Sequence, residues 1–498
     1  MNEKAQEQES VRRNAVTSLG WSWLGMAGVT IMQLAYTAVM ARLLEPKAFG
    51  LIAGAMLAIK FVNYPAKFGV SAALIQRPQL DDRDLRVAFT VSLAAGTAGT
   101  ALIFAISSPF SRLIGQPQVA SVASWLGLGL LLGAFGTVPE ALLRKRMKFR
   151  ALAFSNMAAY FCSNILIAIP LAIAGAGVSS LIVAAVGNIV LTGAFLSLSA
   201  SFVPRVAYDA DRARRFASFG GLVALTSLLD VVSSSADTAA VGRMGAGQLG
   251  QYSRSTFLVA LPVEQISSAA NRVVAPSLSR LQSDSARFGS ALSLALGMTA
   301  CLVAIPVSIA ASLAPALVPL ILGPGWDLAV DVLPFVAAAS GFGLVTQVIT
   351  SASDAKGTIK QRFVAQLLSV VIVLTAVITA AVTFESPRSV ALAWMCGEIA
   401  RLGIHSVLAV KYLSAPVSAL ISRFAAAATL AVVAGLSGLV IVRWWQWTGL
   451  GAITASLGVS LVLFASIWVL WPSAPYRLDM RQLGIPRSGL RASRGSTR

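Results

Sequence analysis

The sequence predicts an all-α integral membrane protein with about fourteen transmembrane helices, and three observations support this fold class. The 498 residues are 56% hydrophobic and only 12% charged, whereas soluble domains carry about 25% charged residues. Apolar stretches of about 20 residues, the length that a helix needs to span a bilayer, recur along the chain. The loops between them alternate between rich and poor in Lys and Arg, as the positive-inside rule expects. A soluble enzyme is therefore excluded.

The predicted spans form two pseudo-symmetric lobes of six helices, followed by two C-terminal helices. Their approximate bounds are 16–41, 50–74, 86–108, 119–143, 151–174, 178–202, 217–240, 252–279, 288–316, 328–352, 363–384, 389–412, 420–442 and 449–471. The predicted segments are a cytoplasmic N-terminus (1–15), an N-lobe (16–202), a cytoplasmic linker (203–216), a C-lobe (217–412), the two appended helices (413–471) and a basic cytoplasmic tail (472–498).

The net charge of +19 arises from 39 Lys plus Arg residues against 20 Asp plus Glu residues. In a soluble protein this excess would indicate nucleic-acid binding, whereas in a membrane protein it follows from keeping basic loops in the cytoplasm. We therefore expect no nucleic-acid partner and two cytoplasmic termini. The three cysteines are isolated and no nucleotide-binding P-loop occurs, so we expect neither a metal site nor a cofactor.

Two sequence echoes indicate an internal repeat. Residues 41–50 resemble residues 241–250, and each stretch leads into a long span that contains a proline. A second echo joins residues 140–149 to residues 354–363, at an offset of 214. Two parallel halves related by an axis along the membrane normal would hold a substrate site between them.

The stretch from residue 250 to residue 281 is the most informative part of the chain for function. It is apolar enough to enter a membrane, yet it carries Arg254 and Arg272. These residues are eighteen positions apart, which is five helical turns, so they share one face. Because an Arg at bilayer depth costs about 2.5–3.5 kcal/mol even on lenient scales, we expect both to face a wet cavity or a partner.

Further cations lie on the second span and at its mouth. Lys60 and Lys67 fall at helical spacing on one face, and Arg42 precedes the span. Arg offers forked hydrogen bonds to a phosphate and Lys a point charge, so a basic cavity would suit an anionic head group. The alternative for Arg254 and Arg272 is that they snorkel to the membrane surface.

Acidic residues in the spans are candidates for ion coupling. Asp230 and Asp237 share one face of the predicted seventh span, and Glu264 lies on the eighth. Buried carboxylates in transporters often mark sites for Na⁺ or H⁺. The alternative is a structural role as counter-ions of Arg254 and Arg272.

Several sequence pieces occur in an order that is typical of a known family. They are Ala-Leu-Ile-Gln-Arg-Pro at 73–78, Val-Pro-Glu-Ala-Leu-Leu-Arg-Lys-Arg-Met-Lys-Phe-Arg at 138–150, Leu-Pro at 261–262, Val-Ala-Pro-Ser-Leu-Ser-Arg at 274–280 and Leu-Gly-Pro-Gly-Trp at 322–326. Together they resemble the polysaccharide transporter branch of the multidrug/oligosaccharidyl-lipid/polysaccharide exporter superfamily, and the colanic acid and succinoglycan exporter type most of all. The resemblance covers about residues 12–412.

This resemblance implies a two-lobed, V-shaped helical fold that works by alternating access. The implied substrate is an undecaprenyl-diphosphate-linked oligosaccharide, flipped across the bacterial inner membrane for exopolysaccharide or lipopolysaccharide biosynthesis. Its diphosphate would bind the cations named above. Other implied partners are membrane lipids, Na⁺ or H⁺, and a polysaccharide polymerase with its chain-length and export machinery.

Two other functions are compatible with many spans. An ion-coupled antiporter of small cationic drugs, from the same superfamily, would favour an acidic and aromatic cavity. A membrane glycan polymerase or ligase usually carries a long periplasmic loop with catalytic basic residues, and no loop between the predicted spans is long. We therefore predict a transporter without catalytic residues.

Overall fold

A computed structural model of the chain describes residues 2–67, 70–76, 80–212 and 228–444, with residues 451, 454, 455 and 458. Throughout these ranges the regular elements are helices. Long apolar helices that follow one another through short turns form a multi-pass membrane protein. The predicted all-α membrane fold class is therefore confirmed.

Sixteen α-helices and one π-helical segment lie in the described residues. The first group is α1 (Asn2–Leu43), α2 (Pro46–Lys67), α3 (Val70–Gln76), α4 (Asp82–Leu113), α5 (Gln118–Lys145), α6 (Phe149–Tyr160), the π-helical segment (Phe161–Ala168), α7 (Ile169–Ile173), α8 (Val178–Ala200) and α9 (Ala236–Gly242). The second group is α10 (Ala246–Ser279), α11 (Ser285–Ser312), α12 (Ala314–Leu322), α13 (Asp327–Lys356), α14 (Ile359–Phe384), α15 (Pro387–Leu413) and α16 (Val417–Trp444).

Nine helical stretches of the described chain are long and apolar enough to cross a membrane. The long helices α2, α10 and α15 are not among these nine, and they carry Lys60, Arg254 and Arg401. The total of fourteen spans stays a prediction, because residues 213–227 and most residues after 444 lie outside the described ranges.

The predicted fifth span, 151–174, contains a change of helix type. Helix α6 passes into eight residues of π-helix, and α7 follows with Pro170 at its start. Proline lacks an amide N–H, and its ring crowds the carbonyl four residues earlier. The wider π-helical turns lie directly before this proline and let the chain continue without a loop.

The first residues of the predicted linker are fastened to the start of α4. Arg212 donates hydrogen bonds to the carboxylates of Asp81 and Asp84, both at 2.8 Å. The hydrogen bond from Arg212 to Asp81, and after it the bond from the backbone amide of Asp84, hold the pKa of Asp81 below its ordinary value. Asp81 and Asp84 also form the capping box that begins α4. The same two carboxylates thus start a helix and anchor the linker.

The described residues pack as two compact units, one drawn from residues 1–253 and 321–325 and the other from residues 254–320 and 326–498. In the first unit, α2, α4 and α5 share a core that includes Leu51, Ile103 and Val119. In the second, α11, α13, α15 and α16 share a larger core that includes Phe288 and Ile349. The predicted boundary at 203–216 stays a prediction, because the chain from 213 to 227 lies outside the described residues.

A buried charge pair lies in the second unit, where α14 packs against α15. Arg401 donates to the carboxylate of Glu398 at 3.3 Å and to the side-chain oxygen of Gln366 at 3.5 Å. The ring of His405 lies 3.0 Å from the carbonyl oxygen of Arg401. Because the two charges compensate each other, this cluster fits a structural ion pair within α15, which Arg401 joins to α14 through Gln366.

Candidate substrate site

The starts of α2 and α10 cross at two glycines. A Cβ atom on Gly50 would overlap the carbonyl oxygen of Ala246, and one on Gly250 would overlap the carbonyl oxygen of Pro46. Pro46 and Ala246 begin the two helices and are 200 residues apart, as are the two glycines. The echo between residues 41–50 and 241–250 is therefore also a structural repeat, in which each helix start packs on the other.

Lys60 lies on α2, fourteen residues after the helix begins at Pro46. At 1.5 Å per residue this places its Cα about 21 Å along the helix. The opposite side of α2 is buried against α4 and α5 through residues such as Leu51 and Ala55, whereas the Lys60 side chain is exposed. A cation therefore remains accessible deep in a helix whose other side belongs to the core.

Asp237 is a fully buried carboxylate on α9, which packs against α2. The hydroxyl of Tyr252, near the start of α10, donates a hydrogen bond to it at 2.8 Å. The positive charge of Lys60 is close enough to act electrostatically on the same carboxylate. The structure thus brings together Lys60, predicted for an anionic head group, and Asp237, predicted for ion coupling.

The segment before α9 is broken. Residues 228–233 are helical, a turn follows at residues 234–235, and α9 then begins. The hydroxyls of Ser233 and Ser235 are buried there and have no hydrogen-bond partner among the described residues. Asp230 is half-buried, and its carbonyl oxygen accepts from the amide of Ser234. The buried hydroxyls of Ser233 and Ser235 thus lie at a helix break that directly precedes Asp237 in the sequence.

Arg254 lies on α10, and its side chain is half-buried. Its guanidinium group lies over the ring of Phe257, 5.0 Å from the ring centre, which is a cation–π distance. The neighbouring Ser255 is buried and donates to the carbonyl oxygen of Ala329 at 2.6 Å, so the helix is fixed at this point. Glu264 is exposed ten residues further along the same helix.

Arg42 is exposed at the end of α1 and donates to two backbone carbonyls. The acceptors are Ala38 at 2.8 Å and Ile321 at 2.6 Å. Gly323 has a φ of +91°, and a Cβ atom there would lie 3.1 Å from the Arg42 side chain. Arg42 therefore fastens the loop at 321–325, whatever further contact it makes with a substrate.

Two of the predicted cations are known only by their place on a helix. Lys67 is the last residue of α2, and Arg272 lies on α10. Their side chains lie outside the described part of the structure.

A surface cavity of about 320 Å³ lies between the α1–α2 turn and the α7–α8 turn. Its lining includes Glu45 and Lys47 from the first turn and Gly177 from the second. None of the predicted cavity cations lines it, so we do not assign the substrate to it.

Sequence reasoning missed Tyr252 as a member of the site. The available signal was its position two residues after Gly250, where the repeat places Ile52 in α2. Tyr252 carries a hydroxyl and Ile52 is aliphatic, so the two copies of the repeat differ at this position. Only the fold shows that Tyr252 reaches Asp237.

Comparisons with known proteins agree with this architecture. The succinoglycan biosynthesis transport protein ExoT of Rhizobium meliloti (strain 1021) is 23% identical over 334 residues, which cover 67% of each chain. The lipid II flippase MurJ in an inward closed conformation superposes with a TM-score of 0.69 at 15% identity, covering 90% of this chain and 98% of MurJ. An inward-facing multidrug resistance MATE family transporter of the MOP superfamily gives 0.61 at 15% identity, covering 78% and 94%.

The two structural likenesses show a shared fold. The sequence match goes further, because the model of the family described as polysaccharide biosynthesis protein matches residues 39–331, more than half of the chain. This protein therefore belongs to the polysaccharide biosynthesis protein family.

Proposed function

We propose that the protein is a flippase for an oligosaccharide linked to undecaprenyl diphosphate, and that it works by alternating access in polysaccharide biosynthesis. Membership of the polysaccharide biosynthesis protein family supports the pathway. A relative that is named as a succinoglycan transport protein and a fold shared with a lipid II flippase support the reaction type. The protein is a transporter rather than an enzyme.

The observation that carries this proposal is the accessible charge of Lys60. A cation deep in a membrane-spanning helix is costly unless it meets water or an anion. Lys60 is exposed, while the nearby carboxylate of Asp237 is buried and bound by Tyr252. An entering ligand therefore meets the positive group, and a diphosphate is complementary to it.

We assign the diphosphate to the cations that the sequence predicted. Lys60 is the central member, and Arg254 adds a guanidinium group that is held over Phe257. A guanidinium fork matches two phosphate oxygens better than an ammonium group does, so the two residue types have different tasks. The complete proposed set is Lys60, Lys67, Arg254, Arg272 and Arg42.

We further propose that transport is coupled to Na⁺ or H⁺ at the acidic residues. Asp237 is the leading member, because it is a buried carboxylate beside a broken helix with two unpartnered hydroxyls in the described chain. Broken helices in transporters expose backbone and side-chain oxygens that hold cations. Asp230 and Glu264 are the other proposed members.

The orientation and the partners are part of the same proposal. Basic loops place both termini in the cytoplasm, and the protein then lies in the bacterial inner membrane. The flipped repeat units would pass to a polysaccharide polymerase with chain-length and export machinery.

An ion-coupled drug antiporter is the second candidate, because the fold is shared with a multidrug transporter. Such a protein needs an accessible acidic group for a cationic drug. Glu264 is an exposed acid on α10, but at the Lys60–Asp237 pair the acid is buried and bound by Tyr252, and the accessible member is Lys60. The charge arrangement therefore favours an anionic substrate.

Deletion of the gene and complementation test the proposal. We expect deletion to abolish polymer and to leave lipid-linked repeat units on the cytoplasmic side. The wild-type chain should restore export, whereas Lys60→Ala and Arg254→Ala should restore it poorly. Lys47→Ala is a matched control, because Lys47 is an exposed lysine on the first turn of the same helix. Full export by a chain with Lys60→Ala and Arg254→Ala combined would contradict the site, and normal polymer after deletion would contradict the function.

A further inference from the structure

The turns between α5 and α6 and between α13 and α14 have the same backbone. Met147 has a φ of 54° and Gly357 a φ of 76°, which places both in the left-handed region. The amides of Met147 and Gly357 each bond to the carbonyl three residues earlier, and the amides of the next residues bond to the carbonyl five residues earlier. Gly357 lies 210 residues after Met147, so the structural offset is 210, one helical turn less than the sequence offset of 214.

The charges of these two turns differ strongly. Residues 144–150 contain five cations and no acid, whereas the equivalent residues 354–360 contain two cations and one acid. In the second turn that acid, Asp354, binds Arg362 at 2.5 Å. In the first turn Arg144 is paired with Glu140 at 2.7 Å. The remaining basic charge of the first turn is therefore much larger.

Three cations of the first turn have no carboxylate partner among the described residues: Arg146, Lys148 and Arg150. All three are exposed. Some other basic residues at loops of the described chain do have such partners, in the pairs Arg83–Asp209, Arg212–Asp81, Arg287–Asp284 and Arg362–Asp354. The α5–α6 turn differs from these loops, because three exposed cations follow one another there without a described carboxylate beside them.

The tip of the first turn is apolar and strained. A side chain in the left-handed region costs about 1–2 kcal/mol, which glycine avoids. The second turn has Gly357 at this point, but the first has Met147, whose side chain is 54% exposed. Exposed residues at other helix ends, Ser201, Glu385 and Ser414, share this conformation, so the feature particular to the first turn is its exposed apolar side chain. An exposed apolar tip between cations is typical of a segment that touches a membrane surface.

The neighbouring aromatic residues fit the same surface. The guanidinium of Arg150 lies 5.0 Å from the ring centre of Trp21 and 5.7 Å from that of Phe154. Trp is enriched at the level of lipid head groups, where one side of the ring is apolar and the other is wet. The aromatic pair therefore suits a position at the level of the head groups, and it holds the guanidinium of Arg150 beside it.

We propose that the α5–α6 turn, residues 144–150, is a binding site for the head groups of anionic phospholipids in the leaflet that it faces. Arg146, Lys148 and Arg150 contact the phosphates, and Met147 enters the upper acyl region. The equivalent α13–α14 turn, residues 354–360, does not share this property. The site is separate from the proposed diphosphate cations, and its ligand is membrane lipid rather than transported substrate.

The test uses the full chain in nanodiscs that contain equal amounts of phosphatidylglycerol and phosphatidylcholine. Native mass spectrometry of the extracted protein counts the lipids that it retains. We expect the wild type to retain phosphatidylglycerol preferentially. Arg146→Gln combined with Arg150→Gln should lower this preference at least about tenfold, because each cation near an anionic surface contributes about 1 kcal/mol.

The matched control is Lys356→Gln combined with Lys360→Gln, the same positions in the second turn. We expect it to keep the preference of the wild type. An equal loss in both double variants, or no preference in the wild type, would overturn the proposal. Displacement of phosphatidylglycerol by a few mole per cent of undecaprenyl diphosphate would also overturn it, because the turn would then collect substrate. If the first double variant does not fold, Met147→Gly removes the apolar tip and should weaken retention on its own.

Discussion

The starts of α2 and α10 repeat one backbone arrangement but carry different side chains. The start of α10 lies 200 residues after the start of α2. The two helices pack on each other through Gly50 of α2 and Gly250 of α10. Further along, α2 carries Lys60, while the equivalent residue of α10 is Ala260. The glycine contact is therefore present in both copies of the repeat, whereas the positive charge of Lys60 is present in only one.

The helices that precede them differ in the same way. The carboxylate of Asp237 on α9 has Thr37 as its counterpart on α1, and Tyr252 has Ile52. One copy of the repeat thus supplies the accessible cation, and the other supplies the buried acid with its hydroxyl partner. The two copies thus share the packing contact at Gly50 and Gly250. The polar groups that we propose to act on substrate and ion are divided between the copies.

Alanine at either glycine tests whether the repeated crossing is essential. Gly50→Ala or Gly250→Ala should abolish export and lower the free energy of unfolding by about 3 kcal/mol, because the new Cβ overlaps a backbone carbonyl that cannot move away alone. Export of polymer in a deletion strain and thermal unfolding of the purified protein measure both effects.

Gly247→Ala is the control for this change. Gly247 lies in the same turn of α10, but a Cβ atom there meets no atom of the described chain within 4 Å. We expect nearly wild-type export and stability. If Gly50→Ala behaved like Gly247→Ala, the crossing would not be a tight contact in the working protein.

Removal of the Tyr252 hydroxyl tests the division of polar groups between the copies. Tyr252→Phe should destabilise the protein by about 2 kcal/mol, because the buried Asp237 carboxylate loses its 2.8 Å hydrogen bond and keeps the 3.4 Å one from Thr238. Tyr412→Phe, at an exposed tyrosine, serves as the control and should change little. A double-mutant cycle with Asp237→Asn should show that the two changes are not additive. Additive losses of unfolding free energy would mean that the two side chains do not interact.

The ends of α1 and α9 allow a smaller test of the same comparison. Helix α9 ends at Gly242, whose carbonyl accepts a hydrogen bond from the buried side chain of Gln116. Gln116→Ala should cost about 1–2 kcal/mol, because a buried carbonyl loses its donor. Chemical unfolding of the purified protein measures this loss. An unchanged midpoint would show that water replaces the amide.

Arg42 stands at the equivalent place in the first copy and is exposed. Arg42→Ala should lower the free energy of unfolding by less than about 1 kcal/mol, since water can reach the two carbonyls that it bonds. Export should fall more than this loss explains, because we also assign Arg42 to the diphosphate. Export that follows the amount of folded protein alone would reduce Arg42 to its structural role.

The fold class followed from sequence because hydropathy and charge alternation are strong signals in a membrane protein. The start of the repeat was also visible in the sequence, because Gly50 and Gly250 and the residues before them resemble each other. The π-helical turns before Pro170 were not visible, because the apolar run continues through them without a polar break.

The site was only partly predictable from sequence. Helical spacing placed Lys60 and Asp237 on polar faces of their own helices, but no sequence rule joins two faces that are 177 residues apart. Arg254 and Arg272 were one predicted set of counter-ions for the acidic residues, and this stays a prediction, whereas the hydrogen bond from Tyr252 to Asp237 was visible only in the structure. The sequence echo has an offset of 214, whereas the equivalent turns at Met147 and Gly357 are 210 residues apart. The two differ because the position of the helix end, rather than similar residue types, defines which residues are equivalent in the fold.

Transbilayer movement of a fluorescent oligosaccharide-diphosphate lipid, in vesicles that contain the purified protein, tests the role of Lys60 without other cell components. We expect the wild-type protein and Lys47→Ala to accelerate this movement. With Lys60→Ala the rate should be at least about tenfold below that of the wild type, because one charge-assisted contact of about 1.5 kcal/mol or more is lost. Equal rates for Lys60→Ala and the wild type would contradict the claim that this lysine receives the diphosphate.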